Sequence, residues 1–438
     1  MIQTIQEILL DAQEREWFQG TARHLKVRVV PRKATVLIGV RRCGKSTLMH
    51  QISKELQSGG VSWENILYLN FFDDRLSGLK TAGADTIMEA YFRLYPGKRG
   101  VEKIYCFFDE VQVIPGWEAF VDRILETENC EVYLTGSSAQ MLSREIATQM
   151  RGRALSWELF PFSFGEYLDF AGISSRATYG TGSRYQIQKG FEAYWETGGF
   201  PEVMGMDPFL RIKIHQEYLS SILFRDLIER YDIPHPRAVA DLAHRLIGSA
   251  GSLYTLNGLT NYLKSIGHKV PKSSVADYLA WFEDAYFLFT VRIFDASYGK
   301  SNANPKKIYG VDHAFIRSIA PGILVNSGHM LENLVFIALR RGSDKIYYYR
   351  TRNGQEVDFL IIGNNGLKSL YQVTESLENP ATRAREVKSL NAAMKELDLN
   401  SATIVTRNGE EVISTDVGEI EVIEAWRFLL RQDFPEME

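Results

Sequence analysis

At 438 residues, 45% hydrophobic and 24% charged, the chain holds enough apolar material for two to four folded domains and is neither disordered nor fibrous. A formal net charge of −4 argues against nucleic-acid binding over the whole surface and leaves room for a local basic face. No apolar run approaches the length of a membrane span, and Cys43, Cys106 and Cys130 show no paired spacing, so they read as reduced thiols of a cytoplasmic protein.

The first segment, MIQTIQEILLDAQEREW, carries Asp11 and Glu14 where a secretion signal would be basic and then apolar. It reads as an amphipathic helix. The pattern then alternates strand and helix up to about residue 165, is mostly helical from about 187 to 285, and returns to short strands from 345. Two Gly/Ser/Asn-rich stretches, Gly172 to Tyr185 and Asp295 to Lys307, are expected to be loops.

The strongest local signal is ATVLIGVRRCGKSTLMHQI. An apolar strand, Thr35 to Ile38, runs into G-x-x-x-x-G-K-S, formed by Gly39, Val40, Arg41, Arg42, Cys43, Gly44, Lys45 and Ser46, with Thr47 following. A helix with Leu48, Ile52 and Leu56 on one face comes next. This spacing suits a phosphate cradle. Backbone N–H groups of the loop and the helix N-terminus wrap the phosphates, Lys45 reaches the β- and γ-phosphates, and the Ser46 hydroxyl ligates Mg²⁺. The cofactors expected are therefore ATP and Mg²⁺. Cys43 lies inside the loop, where positive potential favours a thiolate.

A second apolar strand, KIYCFFDEVQ, ends in Asp109 and Glu110. Beside a phosphate loop, Asp109 is expected to hold Mg²⁺ through water and Glu110 to polarise the attacking water. A third strand, CEVYLTGSSAQML, ends in Thr135, Ser137 and Ser138. Hydroxyls at this end of a strand lie beside the γ-phosphate in a doubly wound sheet, which favours a sensing role for Thr135 or Ser137, and helix capping by Ser137 or Ser138 is compatible with it.

GVRRCGKST, FFDEVQ, LTGSSAQML, RGR followed by LFPFSFGEYL, and TGGFPEVM together carry a resemblance over essentially the whole chain. It resembles the AAA-superfamily ATPases of archaea and bacteria that are joined to a C-terminal domain of poorly known function. The resemblance implies that Arg151 or Arg153 is an arginine finger acting in a neighbouring subunit of a homo-oligomer. It also implies that Gly199, Phe200 and Pro201 form the lid element whose proline lies against adenine. On the lid helix after it, Arg211 or Arg225 is expected to reach the γ-phosphate, and spacing does not choose between them.

From Leu256 to Ile266 one helix is expected, then a turn at Gly267-His268-Lys269, then a helix from near Ser273 carrying Val275, Tyr278, Leu279 and Phe282. Strands FLFTVRIF and KIYGV complete a winged-helix pattern. Residues 235–320 hold ten Lys/Arg against six Asp/Glu, with Lys264, Lys269 and Lys272 around the turn. Asp277, Glu283 and Asp284 load the second helix with the opposite sign.

The last part runs helix, strand, strand, strand, helix, an order that resembles the restriction-endonuclease-like fold. Its signature of Glu, Asp and Glu/Gln-x-Lys falls on Glu332, Asp358 and Gln372, with Thr374 at the lysine position. Two carboxylates and an amide oxygen suit one tentative metal ion. Without a lysine the site reads as degenerate unless Arg350, Arg352, Arg383, Arg385 or Lys388 supplies the charge.

The chain is thus expected to be α/β, with an N-terminal helix (1–19), a three-layer P-loop ATPase core (20–165), a helical lid (166–234), a winged helix (235–320) and a nuclease-like domain (321–438). ATP hydrolysis would drive an interaction with DNA or an unknown protein partner, with no membrane involved. The alternatives are a slow signalling switch with a protein partner and an ATP-controlled nuclease.

Overall fold

A computed structural model of the chain describes all residues except 137–149, 151, 176–179, 296, 298, 300, 302–303, 321–326, 364 and 435–438. It divides into two compact units, Met1–Phe160 and Pro161–Glu438.

Unit 1 is built on five strands: β1 (Ala34–Ile38), β2 (Ile66–Asn70), β3 (Ile104–Asp109), β4 (Cys130–Thr135) and β5 (Ala154–Glu158). All pairings are parallel, in the order β2-β3-β4-β1-β5. Parallel strands need crossover helices on the sheet faces, and such a sheet is buried. β1 accordingly reads ATVLI and is buried at every position. The doubly wound order puts the carboxyl ends of β1, β3 and β4 side by side, where ligands bind in this architecture. The first helix, Ile2–Glu14, is amphipathic as expected and buries Ile5, Ile8, Leu9 and Ala12. Their spacing follows the helical repeat, and each large aliphatic side chain contributes about 1.5–3 kcal/mol of burial.

Unit 2 opens with helices Phe164–Phe170, Thr181–Thr197 and Pro208–Ser221. The stretch Gly172 to Tyr185 is not loop throughout, because a helix starts at Thr181. That helix buries Ile187, Gly190, Phe191, Tyr194 and Trp195 at helical spacing, and this packing carries the weak helix formers of its first turn. The paired helices of the middle segment are present as Leu256–Ser265, burying Leu259 and Leu263, and Lys272–Asp284, burying Val275, Tyr278 and Phe282.

Among the described residues nine further strands follow: β6 (Leu253–Tyr254), β7 (Leu288–Ile293), β8 (Lys306–Gly310), β9 (Ile346–Arg350), β10 (Glu356–Ile362), β11 (Lys368–Thr374), β12 (Ser401–Thr406), β13 (Glu411–Ser414) and β14 (Glu419–Glu424). They form one sheet in the order β13-β14-β12-β11-β10-β9-β7-β8-β6. The hairpin β7–β8, expected as the wing of a separate domain ending at 320, joins β9 through the parallel pairs Arg292↔Tyr347 and Ile293↔Tyr348. The expected boundary therefore falls inside a continuous sheet. Helix Ser327–Gly342 is buried from Met330 through Leu339 and forms part of the core of this unit. Among the described residues no helix is long and apolar enough to cross a membrane.

Gly199 sits where two backbones touch. Its carbonyl accepts from the Phe162 N–H at 2.6 Å, its own N–H donates to Asp312 Oδ2 at 2.7 Å, and an added Cβ would lie 2.3 Å from the Phe162 carbonyl oxygen. Phe200 beside it is fully buried against His215, Tyr218 and Phe315. Gly199→Ala should thus cost about 1–3 kcal/mol through overpacking. A lower urea midpoint with an unchanged slope is the expected result, and an unchanged midpoint would contradict this packing.

Candidate functional site

In unit 1 the loop between β1 and helix Lys45–Ser58 holds residues Gly39 to Gly44. Gly39 has φ +149, and a Cβ there would lie 2.0 Å from the Leu159 carbonyl oxygen, so this position accepts glycine for the close approach of two chains. The Lys45 side chain is buried, and its Nζ donates to the carbonyls of Gly39 and Val40, both at 3.0 Å. The ammonium thus lies across the loop it belongs to. Ser46 and Thr47 follow in the first turn of the helix, half-buried, and Arg42 is exposed. Cys43 is fully buried, so its thiol is not offered to solvent as its place in the loop had suggested.

Asp109 closes β3 at 1% exposure. Thr135 Oγ1, at the end of β4, donates to Asp109 Oδ1 and accepts from the Glu110 N–H at 2.9 Å. Tyr68 donates to Asp109 Oδ2 at 3.0 Å, and Asn70 Nδ2 stands 3.4 Å from the same oxygen. Both carboxylate oxygens are therefore oriented by protein donors, which suits holding an ion through water rather than directly. Glu110 takes a left-handed backbone, φ +57, uncommon outside glycine, and Gln112 Nε2 donates to its Oε2 at 2.6 Å. Burial pushes the Glu110 carboxyl above its ordinary range, although Lys45 opposes the shift. A raised carboxyl next to a phosphate loop suits proton handling.

Several residues of this site carry no sequence motif. With the Tyr68 proton directed to Asp109, His50 Nε2–H donates to the phenol oxygen across 3.1 Å, and Trp17 packs on both rings at centroid distances of 4.2 and 4.6 Å. Burial lowers the His50 pKa to about 4, so the ring is neutral near pH 7. Arg23 donates from Nη1 to the Cys43 carbonyl at 2.8 Å and from Nη2 to the Phe160 carbonyl at 2.7 Å, tying the segment before β1 to the phosphate loop. Each is a single residue that meets its partner from a distant part of the chain, and such contacts give no periodic signal.

Arg153 pairs within its own unit, with Asp122 at 3.2 Å and Glu126 at 2.5 Å. Arg151, Ser137 and Ser138 lie outside the described residues. Gly199, Phe200 and Pro201 pack within unit 2, where Pro201 opens a short 3₁₀ turn, and Arg211 Nη1 stands 3.4 Å from Thr197 Oγ1.

Unit 2 brings Glu332, Asp358 and Gln372 together, all buried. Gln372 Oε1 accepts from the Asp358 N–H at 3.2 Å, and Asp358 Oδ2 accepts from the Val373 N–H at 3.0 Å. The register of β10 against β9 shifts between Val357 and Leu360, a bulge at Asp358 and Phe359 that re-aims the carboxylate. Lys307 of β8, which the sequence did not mark, stands among the acids. Its Nζ is 2.9 Å from Glu332 Oε1, 2.8 Å from Asp358 Oδ1 and 3.1 Å from Glu356 Oε1. Two residues on, Tyr309 donates to the same Glu332 oxygen at 2.6 Å. The only prior hint was strand alternation, which puts Lys307 and Tyr309 on one face. Arg385 pairs with the buried Glu386, at 2.5 Å from Nη2. Glu356, Asp358, Gln372, Arg385, Glu386 and Lys388 line a cleft of about 580 Å³.

The electrostatics follow from burial. Burial works against the Lys307 ammonium, but Asp358, Tyr309, Glu332 and Glu356 outweigh it and hold the amine well above the usual lysine range. Burial, with Asp358 adding, pushes the Glu332 carboxyl up to about 7, while Lys307 and Tyr309 oppose it.

The family described as AAA domain matches residues 31–168, a domain of unknown function (DUF4143) matches 327–428, and another (DUF8612) matches 188–322. An uncharacterized protein of Methanocaldococcus jannaschii is 32% identical over 420 residues, covering 93% of this chain and 90% of that one. An uncharacterized protein of Haemophilus influenzae is 30% identical over 330 residues, covering 74% and 78%. Among solved structures, the Walker-type ATPase of Pyrococcus abyssi is 17% identical, covers 65% of this chain and 90% of that one, and gives a TM-score of 0.41. The ORC1 protein of Aeropyrum pernix, in complex with DNA, is 12% identical, covers 74% and 92%, and gives 0.29. The chain belongs to the AAA-domain P-loop ATPase family whose members carry the DUF4143 domain at their C-terminal end.

The raised Glu332 carboxyl sets a pH dependence. Between its ordinary 4.5 and about 7 the folded chain keeps a proton that the unfolded chain releases. Where the folded state binds more protons, stability falls as pH rises. Wild type should therefore lose stability relative to Glu332→Gln as pH rises through that window, measured by urea unfolding at each pH. Parallel stability curves for the two proteins would refute the assignment.

Proposed function

We propose that the chain binds ATP with Mg²⁺ at Gly39–Thr47 and hydrolyses it to ADP and phosphate, and that turnover gates an interaction with DNA. The observation that carries this reading is the Lys45 ammonium held on the Gly39 and Val40 carbonyls of the phosphate loop, in a sheet that also ends in Asp109, Glu110 and Thr135. Loop N–H groups and Lys45 would bind the phosphates. The Ser46 hydroxyl would ligate Mg²⁺, and Asp109, whose oxygens already accept from Tyr68 and Thr135, would hold it through water. Glu110, raised by burial and steadied by Gln112, would orient the attacking water and receive its proton. Thr135, hydrogen-bonded to Asp109 and the Glu110 N–H, would transmit the state of the γ-phosphate to both acids. Arg151 or Arg153 would act on the site of a second copy. For Arg153 this means exchanging Asp122 and Glu126 for phosphate oxygens.

A specific observation favours DNA over a protein partner. Lys264, Lys269 and Lys272 are exposed around the turn of the helix pair. Two of the three acids on the second helix face inward: Glu283 Oε1 accepts from the Thr290 N–H at 2.9 Å, and Asp284 is buried and accepts from Tyr231 at 3.2 Å. The unfavourable sign expected for this helix is thus largely taken up internally. A winged helix offering these lysines to phosphates is the corresponding reading of the middle segment.

Lys45→Ala should lose nucleotide binding, whereas Glu110→Gln should keep ATP bound and lose turnover by about 10²–10⁴-fold. Equilibrium binding beside single-turnover hydrolysis separates the two, and normal turnover in Glu110→Gln would sink the water-activating role. Duplex DNA should stimulate hydrolysis by wild type and not by a Lys269→Glu, Lys272→Glu variant. Hydrolysis indifferent to DNA would point to a protein partner instead.

A further inference from the structure

We propose that Lys307 is the built-in cation of the acidic cluster in unit 2, taking the place of a divalent metal ion that Glu332, Glu356 and Asp358 would otherwise bind. Its Nζ lies 2.8–3.1 Å from one oxygen of each carboxylate, so the amine occupies the point where the three converge. A Mg²⁺ held by the same oxygens would sit about 2.0–2.1 Å from each. Metal and ammonium would then be like charges at nearly one position, and they exclude each other. The second oxygens of Glu356 and Asp358 are also taken, and the Glu332 oxygen that meets the amine has another donor. Glu356 Oε2 accepts from Arg350 at 3.0 Å, Asp358 Oδ2 from the Val373 N–H at 3.0 Å, and Tyr309 adds a second donor to Glu332 Oε1. Gln372 Oε1, the expected third ligand, accepts from the Asp358 N–H. As the side chains stand, spread around the amine, no group of three His, Cys, Asp or Glu among the described residues is placed to hold a metal, so an ion would bind only after the three carboxylates draw in on the vacated position.

The source of the amine matters. Thr374, two residues after Gln372 on β11, is neutral, and the charge comes instead from β8, with β9 and β7 between β8 and β10 in the sheet order. Lys307 is 3% exposed, and its partners come from β10 and from helix Ser327–Gly342. A covalently attached cation cannot dissociate, so the cluster keeps its charge balance at any metal concentration. The adjoining cleft of about 580 Å³, lined by Glu356 and Asp358, would let an ion enter once the amine is removed. Wild type therefore has no metal-dependent chemistry at this cluster, and Lys307→Met exposes a latent divalent site.

Mn²⁺ is the probe, followed by electron paramagnetic resonance on the full chain without nucleotide. Wild type and Asp358→Asn should bind Mn²⁺ equally weakly. Lys307→Met should gain one ion at least tenfold more tightly than wild type, and Lys307→Met combined with Asp358→Asn should lose it. Removing the amine leaves buried carboxylates without their partner, so far-UV circular dichroism accompanies each titration. If Lys307→Met is unfolded without metal, millimolar Mn²⁺ should restore its dichroism and thermal transition. Stoichiometric Mn²⁺ on wild type that disappears in Asp358→Asn would overturn the proposal. So would a Lys307→Met protein that shows neither gained binding nor rescue by the ion.

Discussion

Carboxylates buried at the ends of sheet strands have to be paired, and both units are organised around that requirement. Leaving such a group without partners costs several kcal/mol, a large part of a protein's total stability. In unit 1 the acid is Asp109, and Thr135 of β4 with Tyr68 and Asn70 of β2 supply its donors from the two strands that flank β3. In unit 2 the acids are Asp358 and the half-buried Glu356 of β10, joined by Glu332 from helix Ser327–Gly342, and Lys307, Tyr309 and Arg350 supply their donors. Each set of donors holds its strands in register as well as balancing charge.

The two solutions differ in kind. Around Asp109 the donors are neutral hydroxyls and an amide, none of which brings a positive charge to the carboxylate. This pairing also extends outward, since Tyr68 leads to His50 and Trp17, a residue on the segment after the first helix. Whatever displaces that segment alters the hydrogen bonding of the acid at the phosphate site. Around Asp358 the donor is itself a cation, and the local charge is already compensated. Similar strand-end chemistry thus yields one site open to a cation and one closed by a cation of the chain.

The pairing in unit 2 also determines how the chain is divided. Lys307 belongs to the segment matched as one domain of unknown function, residues 188–322, and Asp358 to the segment matched as another, residues 327–428. Their ion pair and the β7–β9 pairing cross that division. Segments that look separable along the chain share a sheet and a buried charge cluster, which accounts for their lying in one compact unit.

Local patterns were legible in the sequence by itself. The phosphate loop is contiguous, so Gly39, Gly44, Lys45 and Ser46 show their relation by spacing. The amphipathic first helix and the helix pair at 256–284 show theirs by periodicity, because a helix repeats every 3.6 residues. Asp109 and Thr135 were visible as polar ends of apolar strands. The helix beginning at Thr181 was missed because its first turn is rich in loop-favouring residues, and packing rather than propensity holds it. Arg23, Tyr68 and Lys307 could be found only in three dimensions. Each meets its partner across a long stretch of chain, Lys307 and Asp358 being 51 residues apart, with no repeat to announce the contact. Strand order in a sheet is set by which buried faces and charges fit together, and that fit depends on the whole fold rather than on any window of sequence.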